Sequence, residues 1–291
     1  MKQTLQLVVA KLSLAPLEIA ARAIPFLILL GVLTVASTKA ESKALGWGDS
    51  FQYDTGRNPS VAIGFWGDIV EVHQTDDGVG PLWYRVGQLD GFNIQWGDGS
   101  PYDTGLKPAV AVAVDFVVEV HQAEDGVGPL WYRVGHLDGI SIQWGDSFQY
   151  DTGRNPAVAL QFDTLVEVHQ AEDGDGPLWY RVGRLNGDGI QWWGGGSQYD
   201  SGLNPAVGLS GGLVVEVHQA KAEVGPLLSR RGGLAHPGIS WEDSFQFEGA
   251  GLNPSSAFLS LPVSAAVIEV HQAQAGVGPL WYRVGGWPLA P

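Results

Sequence analysis

The chain has 291 residues, of which 45% are hydrophobic and 16% charged, so it is long enough and apolar enough to build a packed core. Its 41 glycines and 12 tryptophans, against one methionine, favour short strands and tight turns over helices. A net charge of −15 argues against nucleic acid as partner, and the lack of cysteine excludes disulfides, thiolate metal sites and cysteine nucleophiles.

The N-terminal segment reads apart from the rest. To residue 45 it carries five basic residues against two acidic ones. Within it "AIPFLILLGVLTVAS" sets an apolar run of about 14 residues over 24–37, short of the roughly 20 that cross a bilayer and typical of a signal-peptide core. Thr38-Lys39-Ala40 suits cleavage. The expectation is a signal peptide over 1–40, with an uncleaved anchor as the alternative, followed by a linker over 41–45. The protein is then secreted or held at the cell surface, and meets a membrane only through that anchor.

From residue 46 onward the chain repeats itself. The phrase "VEVHQAEDGVGPLWYRVG" occurs at 118–135 and, in related form, at 70–87, 166–183, 215–232 and 268–285. Its histidines are His73, His121, His169, His218 and His271. A second phrase alternates with it, for example "QWGDSFQYDTGRNPAVAL". Five units of about 48 residues follow, a period that signals a β-propeller. In the first unit the hydrophobic pattern predicts strands over 60–64, 69–75, 82–89 and 92–102, separated by the turn signals "GFWGD", "TDDGVGP", "LDG" and "DTGLKP".

The array begins with a fourth-strand segment, "GWGDSFQYD", and ends after a third-strand one, "LWYRVGGW". Residues 46–54 are therefore expected to pair with 280–285 and close a five-bladed ring of four-stranded blades, removing both sheet edges. In repeat length, repeat count and richness in Trp and Gly, residues 46–291 resemble the five-bladed β-propeller lectins of the tachylectin-2 type. That resemblance implies the fold and multivalent sugar binding. It assigns no residue, because the sugar contacts of that family do not map onto "VHQ" or "WYRVG".

Side-chain alternation in the second and third strands of each unit gives a definite register. Glu71 falls opposite Arg85 and His73 opposite Trp83, with Glu119/Arg133, Glu167/Arg181, Glu216/Arg230 and Glu269/Arg283 as counterparts. The Glu–Arg pairs are expected to be ion pairs buried between blades. Near the loop ends, an aromatic face and planar polar groups gather once per blade, as a sugar requires. The candidate ligand-binding residues are Tyr53, Asn58, His73, Gln74 and Trp83 in the first copy and His121, Gln122 and Trp131 in the second. Asn155, His169, Gln170 and Trp179 follow, then His271, Gln272 and Trp281. The same tryptophans can fill space between blades, the asparagines before proline can shape turns, and the histidines can be hydrogen-bonded core residues. In the fourth copy Leu228 and Ser229 replace Trp and Tyr, so its site is expected to be weak. Acidic pairs such as Asp76-Asp77 and Glu172-Asp173 lack the spacing of an EF-hand loop and read as a solvated rim.

No hydrolase, metalloprotease or phosphate-loop motif occurs, and the innermost strands ("SVAI", "AVAV", "AVAL", "AVGL", "SAFL") carry no carboxylate. The sequence thus predicts a non-catalytic, multivalent carbohydrate-binding protein without cofactor or metal, whose partners are glycans or glycoconjugates. The alternative is a protein-interaction propeller with an acidic rim.

Overall fold

The computed structural model describes residues 52–288, apart from 77–79, 91–92, 125, 127, 174–175, 221–223, 262–263 and 273–279. The expected signal peptide, anchor and linker, and most of the closing strand 46–54, lie outside the described residues. No helix occurs among those described; the secondary structure is entirely β.

The first unit comprises β1 (Arg57–Ile63), β2 (Asp68–Gln74), β3 (Pro81–Asp90), β4 (Asn93–Trp96) and β5 (Ser100–Thr104). The second comprises β6 (Leu106–Ala113), β7 (Phe116–Gln122), β8 (Pro129–Asp138) and β9 (Ser141–Thr152). The third begins with β10 (Arg154–Gln161), β11 (Thr164–Gln170), β12 (Gly176–Asn186) and β13 (Gly189–Trp192). The long β14 (Ser197–Ser210) closes the third unit with its first half and opens the fourth with its second. The fourth continues with β15 (Leu213–Gln219), β16 (Gly225–Ala235) and β17 (Gly238–Trp241). The equally double-duty β18 (Phe245–Leu261) leads to β19 (Ser264–Gln272) and β20 (Leu280–Pro288). All pairings are antiparallel and follow a meander in every unit, with β3, β12 and β16 also pairing past the short β4, β13 and β17 to β5, β14 and β18.

Two expectations are refined. The fourth strand of the first unit is interrupted, as β4 and β5, by Gly97-Asp98-Gly99. The segment read as a "DTGLKP" turn is also not a reversal. Its chain runs on extended, with a one-position slip before strand pairing resumes at Ala109. The residue preceding proline produces that slip by taking a left-handed backbone: φ is 49° at Asn58, 54° at Lys107, 49° at Asn155, 50° at Asn204 and 49° at Asn253. Asn tolerates this region; Lys does so at a cost.

The core lies between units. Val70, Val72, Leu82, Tyr84 and Val86 of the first unit pack against Val110, Val112, Val117 and Ile142 of the second. The same arrangement joins the second and third units through Val118, Val120, Leu130 and Val134 against Val158, Leu165 and Leu185. Both faces of the second strands are consequently buried, which explains why valines and polar residues alternate there without a wet side. One strand departs from the rule: Val61 and Ile63 on β1 are 65% and 59% exposed, while their counterparts Val110 and Val112 are buried.

Candidate functional site

The register expected from alternation is the one observed. Glu71 pairs with Arg85 and His73 with Trp83, and the later copies match, Glu269/Arg283 and His271/Trp281 included. The expected Glu–Arg ion pair does not form in the first four units. Each arginine reaches sideways to an aspartate delivered by the preceding outer strand: Arg85 Nε to Asp54 at 2.6 Å, Arg133 to Asp103 at 2.8 Å, Arg181 to Asp151 at 2.5 Å and Arg230 to Asp200 at 3.3 Å. The long, partly exposed guanidinium finds a partner nearer solvent, where desolvation is cheaper.

The glutamate is left to its own strand. Glu119, Glu167 and Glu216 are fully buried, and each accepts a hydrogen bond from the histidine two residues on. Nδ1–carboxylate distances are 3.0 Å for His73, His121 and His169 and 2.9 Å for His218. In the third unit Tyr150, the tyrosine before Asp151, also donates its hydroxyl to Glu167 at 2.8 Å. For His169, burial opposes the charge, but the Glu167 carboxylate and its hydrogen bond outweigh burial and raise the imidazole above its usual range. His121 behaves alike; in His73 the hydrogen bond to Glu71 is the leading cause. Burial raises Glu216 above the usual carboxylate range, against the pull of His218. The glycine after the Tyr-Asp-Thr phrase is dictated by this packing: a Cβ on Gly153 would stand 2.4 Å from the Gln170 carbonyl and 2.7 Å from His169 Cδ2.

The other candidates divide. Gln74, Gln122 and Gln170 are buried, with their amide oxygens taken by the chain itself. Gln122 Oε1 accepts from the Asn155 backbone N–H at 2.6 Å, Gln170 Oε1 from that of Asn204 at 2.7 Å, and Gln74 Oε1 from that of Lys107 at 2.9 Å. Asn155 donates to Gln170 and on to Asn204, and Asn204 to Asn253, at 2.6, 2.9 and 3.0 Å. Asn58 bonds Gln74 and receives the Lys107 amine. These amides thus form a ladder running from unit to unit. Tyr53, partly exposed, stacks on Trp96 with centroids 5.2 Å apart. Trp83 and Trp131 are half-buried. His271 is buried, Trp281 is 58% exposed, and Gln272 stands opposite Leu280 on β19.

Trp179 and His169 come together in a cavity of about 690 Å³ between the second and third units. Asp151, Thr152, Ala171, Glu172, Asp173 and Gly196 complete its lining. Asp151 and the two loop acids were not among the candidate ligand-binding residues. Asp151 stands 30 residues from Arg181, and Glu172-Asp173 reads as a solvated rim.

No family model matches the chain, and no curated protein matches it. Solved structures do resemble it. A mutant of AofleA from Arthrobotrys oligospora, with three arginines changed to alanine, superposes with TM-score 0.58 at 11% identity, covering 79% of this chain and 70% of that one. A mutant of Aleuria aurantia lectin, in complex with Fucα1-6GlcNAc, gives 0.55 at 12%, covering 80% and 78%. Exo-β-1,3-galactanase from Phanerochaete chrysosporium, with galactose, gives 0.52 at 10%, covering 85% and 64%.

The fold is that of the β-propellers. The likeness does not single out the tachylectin-2 type. It also overturns the expectation of a protein that only binds, whether sugars or a protein partner, and is not an enzyme. The same architecture carries glycoside hydrolases such as the galactanase. That expectation leaned on the carboxylate-free innermost strands, which speak only for the propeller axis; the cavity between units holds three carboxylates.

Proposed function

We propose that this chain is a carbohydrate-active β-propeller that hydrolyses a glycosidic bond in the cavity between its second and third units. The observation that carries this reading is the lining of that cavity: Asp151, Glu172 and Asp173 beside His169 and the face of Trp179. Glycoside hydrolysis needs a proton delivered to the leaving oxygen and a carboxylate on the opposite side of the sugar ring. His169, held protonated by Glu167, supplies the proton. Its Nδ1 is committed to Glu167, so Nε2 is the nitrogen left for substrate; in the first unit the same nitrogen lies 4.0 Å from Asp54. Asp151, oriented by Arg181, holds that proton from the same side, and the Glu172-Asp173 loop supplies the carboxylate that takes a proton from the attacking water. Trp179 receives the apolar face of the sugar. Among the structural neighbours, one is an exo-β-1,3-galactanase and another was solved with Fucα1-6GlcNAc, so saccharides are accommodated on this architecture.

The architecture we infer is a five-bladed ring over 46–291. Its support is that Tyr53 and Asp54 contact the first unit as Tyr102 and Asp103 contact the second: Tyr53 stacks on Trp96 as Tyr102 does on Trp144, and Asp54 binds Arg85 as Asp103 binds Arg133. The apolar run over 24–37 supports export.

The test is release of reducing sugar from β-1,3-galactan and a panel of aryl glycosides by the purified chain. We expect turnover that falls at least about 100-fold when Glu172→Gln and Asp173→Asn are combined and a raised KM in Trp179→Ala. Absence of release from every substrate overturns the hydrolase reading.

A further inference from the structure

A second cavity, of about 790 Å³, opens at the other end of the strands, between the second and third units. Its lining includes Tyr132, Asp146, Phe148, Asn186, Asp188 and Gln191. No described residue lines both cavities: on β12 Trp179 and Asn186 stand seven residues apart and on β9 Phe148 and Asp151 three, so the two adjoin as separate pockets. The size falls in the range of roughly 300–1,000 Å³ that small-molecule sites occupy.

The phrase Asp-Ser-Phe-Gln of 146–149 also occurs at 49–52 and 243–246, but the two neighbouring units lack it. Phe148 corresponds to Ser100 and Ser197 in the neighbouring units, Asp146 to Asp98 and Gly195, and Asp188 to Ile140 and Pro237 at the hairpin turns. The combination of Phe and two acids arises at this junction and not at the two beside it. The next junction has a smaller cavity of about 480 Å³, lined by Trp193, Arg181 and Ser197, with no carboxylate among its described lining. Phe148 is 44% exposed and leans on Tyr132 at 5.6 Å, so an aromatic face is held open to the cavity by packing from behind. Asp188 is fixed from the second unit by His136 Nε2 at 3.1 Å. Among the described residues, no lysine or arginine lines the cavity.

We propose that this cavity binds a protonated amino sugar. The pyranose face stacks on Phe148, the ammonium group sits between Asp146 and Asp188, and Asn186 and Gln191 bond the hydroxyls. An organic cation over an aromatic face gains both dispersion and cation–π attraction, and the carboxylates select the amine over its acetylated form. The site is independent of the hydrolytic reading.

Calorimetric titration of the intact chain with a trisaccharide of β-1,4-linked glucosamine tests it, beside the N-acetylated trisaccharide and trilysine. Binding of the glucosamine trisaccharide is expected, at least tenfold weaker in Phe148→Ser and in Asp188→Asn, weaker at high salt, and unchanged in Trp179→Ala. Phe148→Ser installs the residue present at the equivalent positions 100 and 197, so folding is retained. Equal affinity for the N-acetylated sugar, equal affinity for trilysine, or binding unaltered by Phe148→Ser overturns the proposal.

Discussion

The buried glutamates of the first four units are held by a histidine, and in the third also by Tyr150, rather than by the arginine opposite. Stability should therefore depend on pH in a definite direction. The histidines carry raised pKa values in the fold. Their contribution is complete below the unfolded value, about 6.5, and is lost as pH climbs through the higher folded value. A melting temperature that falls as pH rises from about 6.5 to 9 is expected; one that rises over that span contradicts the histidine–glutamate pairing. Asp54 acts at the other extreme: burial works against its charge, but the hydrogen bond from Arg85 prevails and holds it low, so its share disappears only in strong acid. Glu167→Ala should cost about 3–5 kcal/mol in denaturant unfolding, because it strands a buried imidazolium. Lys107 is the one residue of its ladder that is not asparagine, yet it holds a left-handed backbone. Lys107→Asn should gain about 1 kcal/mol, read as a rise of roughly 2–4 °C in melting temperature.

At the scale of strands, the register was legible because period-two alternation leaves little freedom once Glu, His, Trp and Arg are placed. The partner of the arginine was not. Arg181 and Asp151 are 30 residues apart and belong to different units, and strand pattern says nothing about how far a guanidinium reaches sideways. The candidate glutamines look like sugar ligands in sequence, since an amide beside a histidine and an acidic loop has the right chemistry. Their burial comes from the slip at the Asn-Pro step, which leaves backbone N–H groups that only a side-chain oxygen can satisfy. The cavity acids were legible as a charged rim, but composition does not show which of them a cavity gathers beside His169. Tyr150→Phe tests the strand-to-strand link. Loss of the hydroxyl that donates to buried Glu167 should cost about 1–3 kcal/mol, measured by chemical denaturation.

For the molecule as a whole, the exposed Val61 and Ile63 frame a clear test of closure. If the fifth unit covers β1 as the first covers β6, Val61→Asp buries a charge and should unfold the protein at markedly lower denaturant. If β1 faces water, the change should stay within about 0.5 kcal/mol. Removing residues 46–54 takes Tyr53 and Asp54 from the first unit, so a melting temperature lower by several degrees is expected, and an unchanged one speaks against the ring.

The handover of a Tyr-Asp pair from each unit to the next has a consequence for how such a chain can change in length. Tyr102 and Asp103 serve the second unit, Tyr150 and Asp151 the third, and Tyr199 and Asp200 the fourth, through the same stack and the same ion pair. Because every such junction presents the same chemistry to its neighbour, an excision or insertion cut at the glycine of this phrase would leave a matched pair of surfaces on either side. Copy number is thereby free to drift by whole units without a new interface having to be invented, because whichever unit comes to precede an arginine brings the aspartate that it needs.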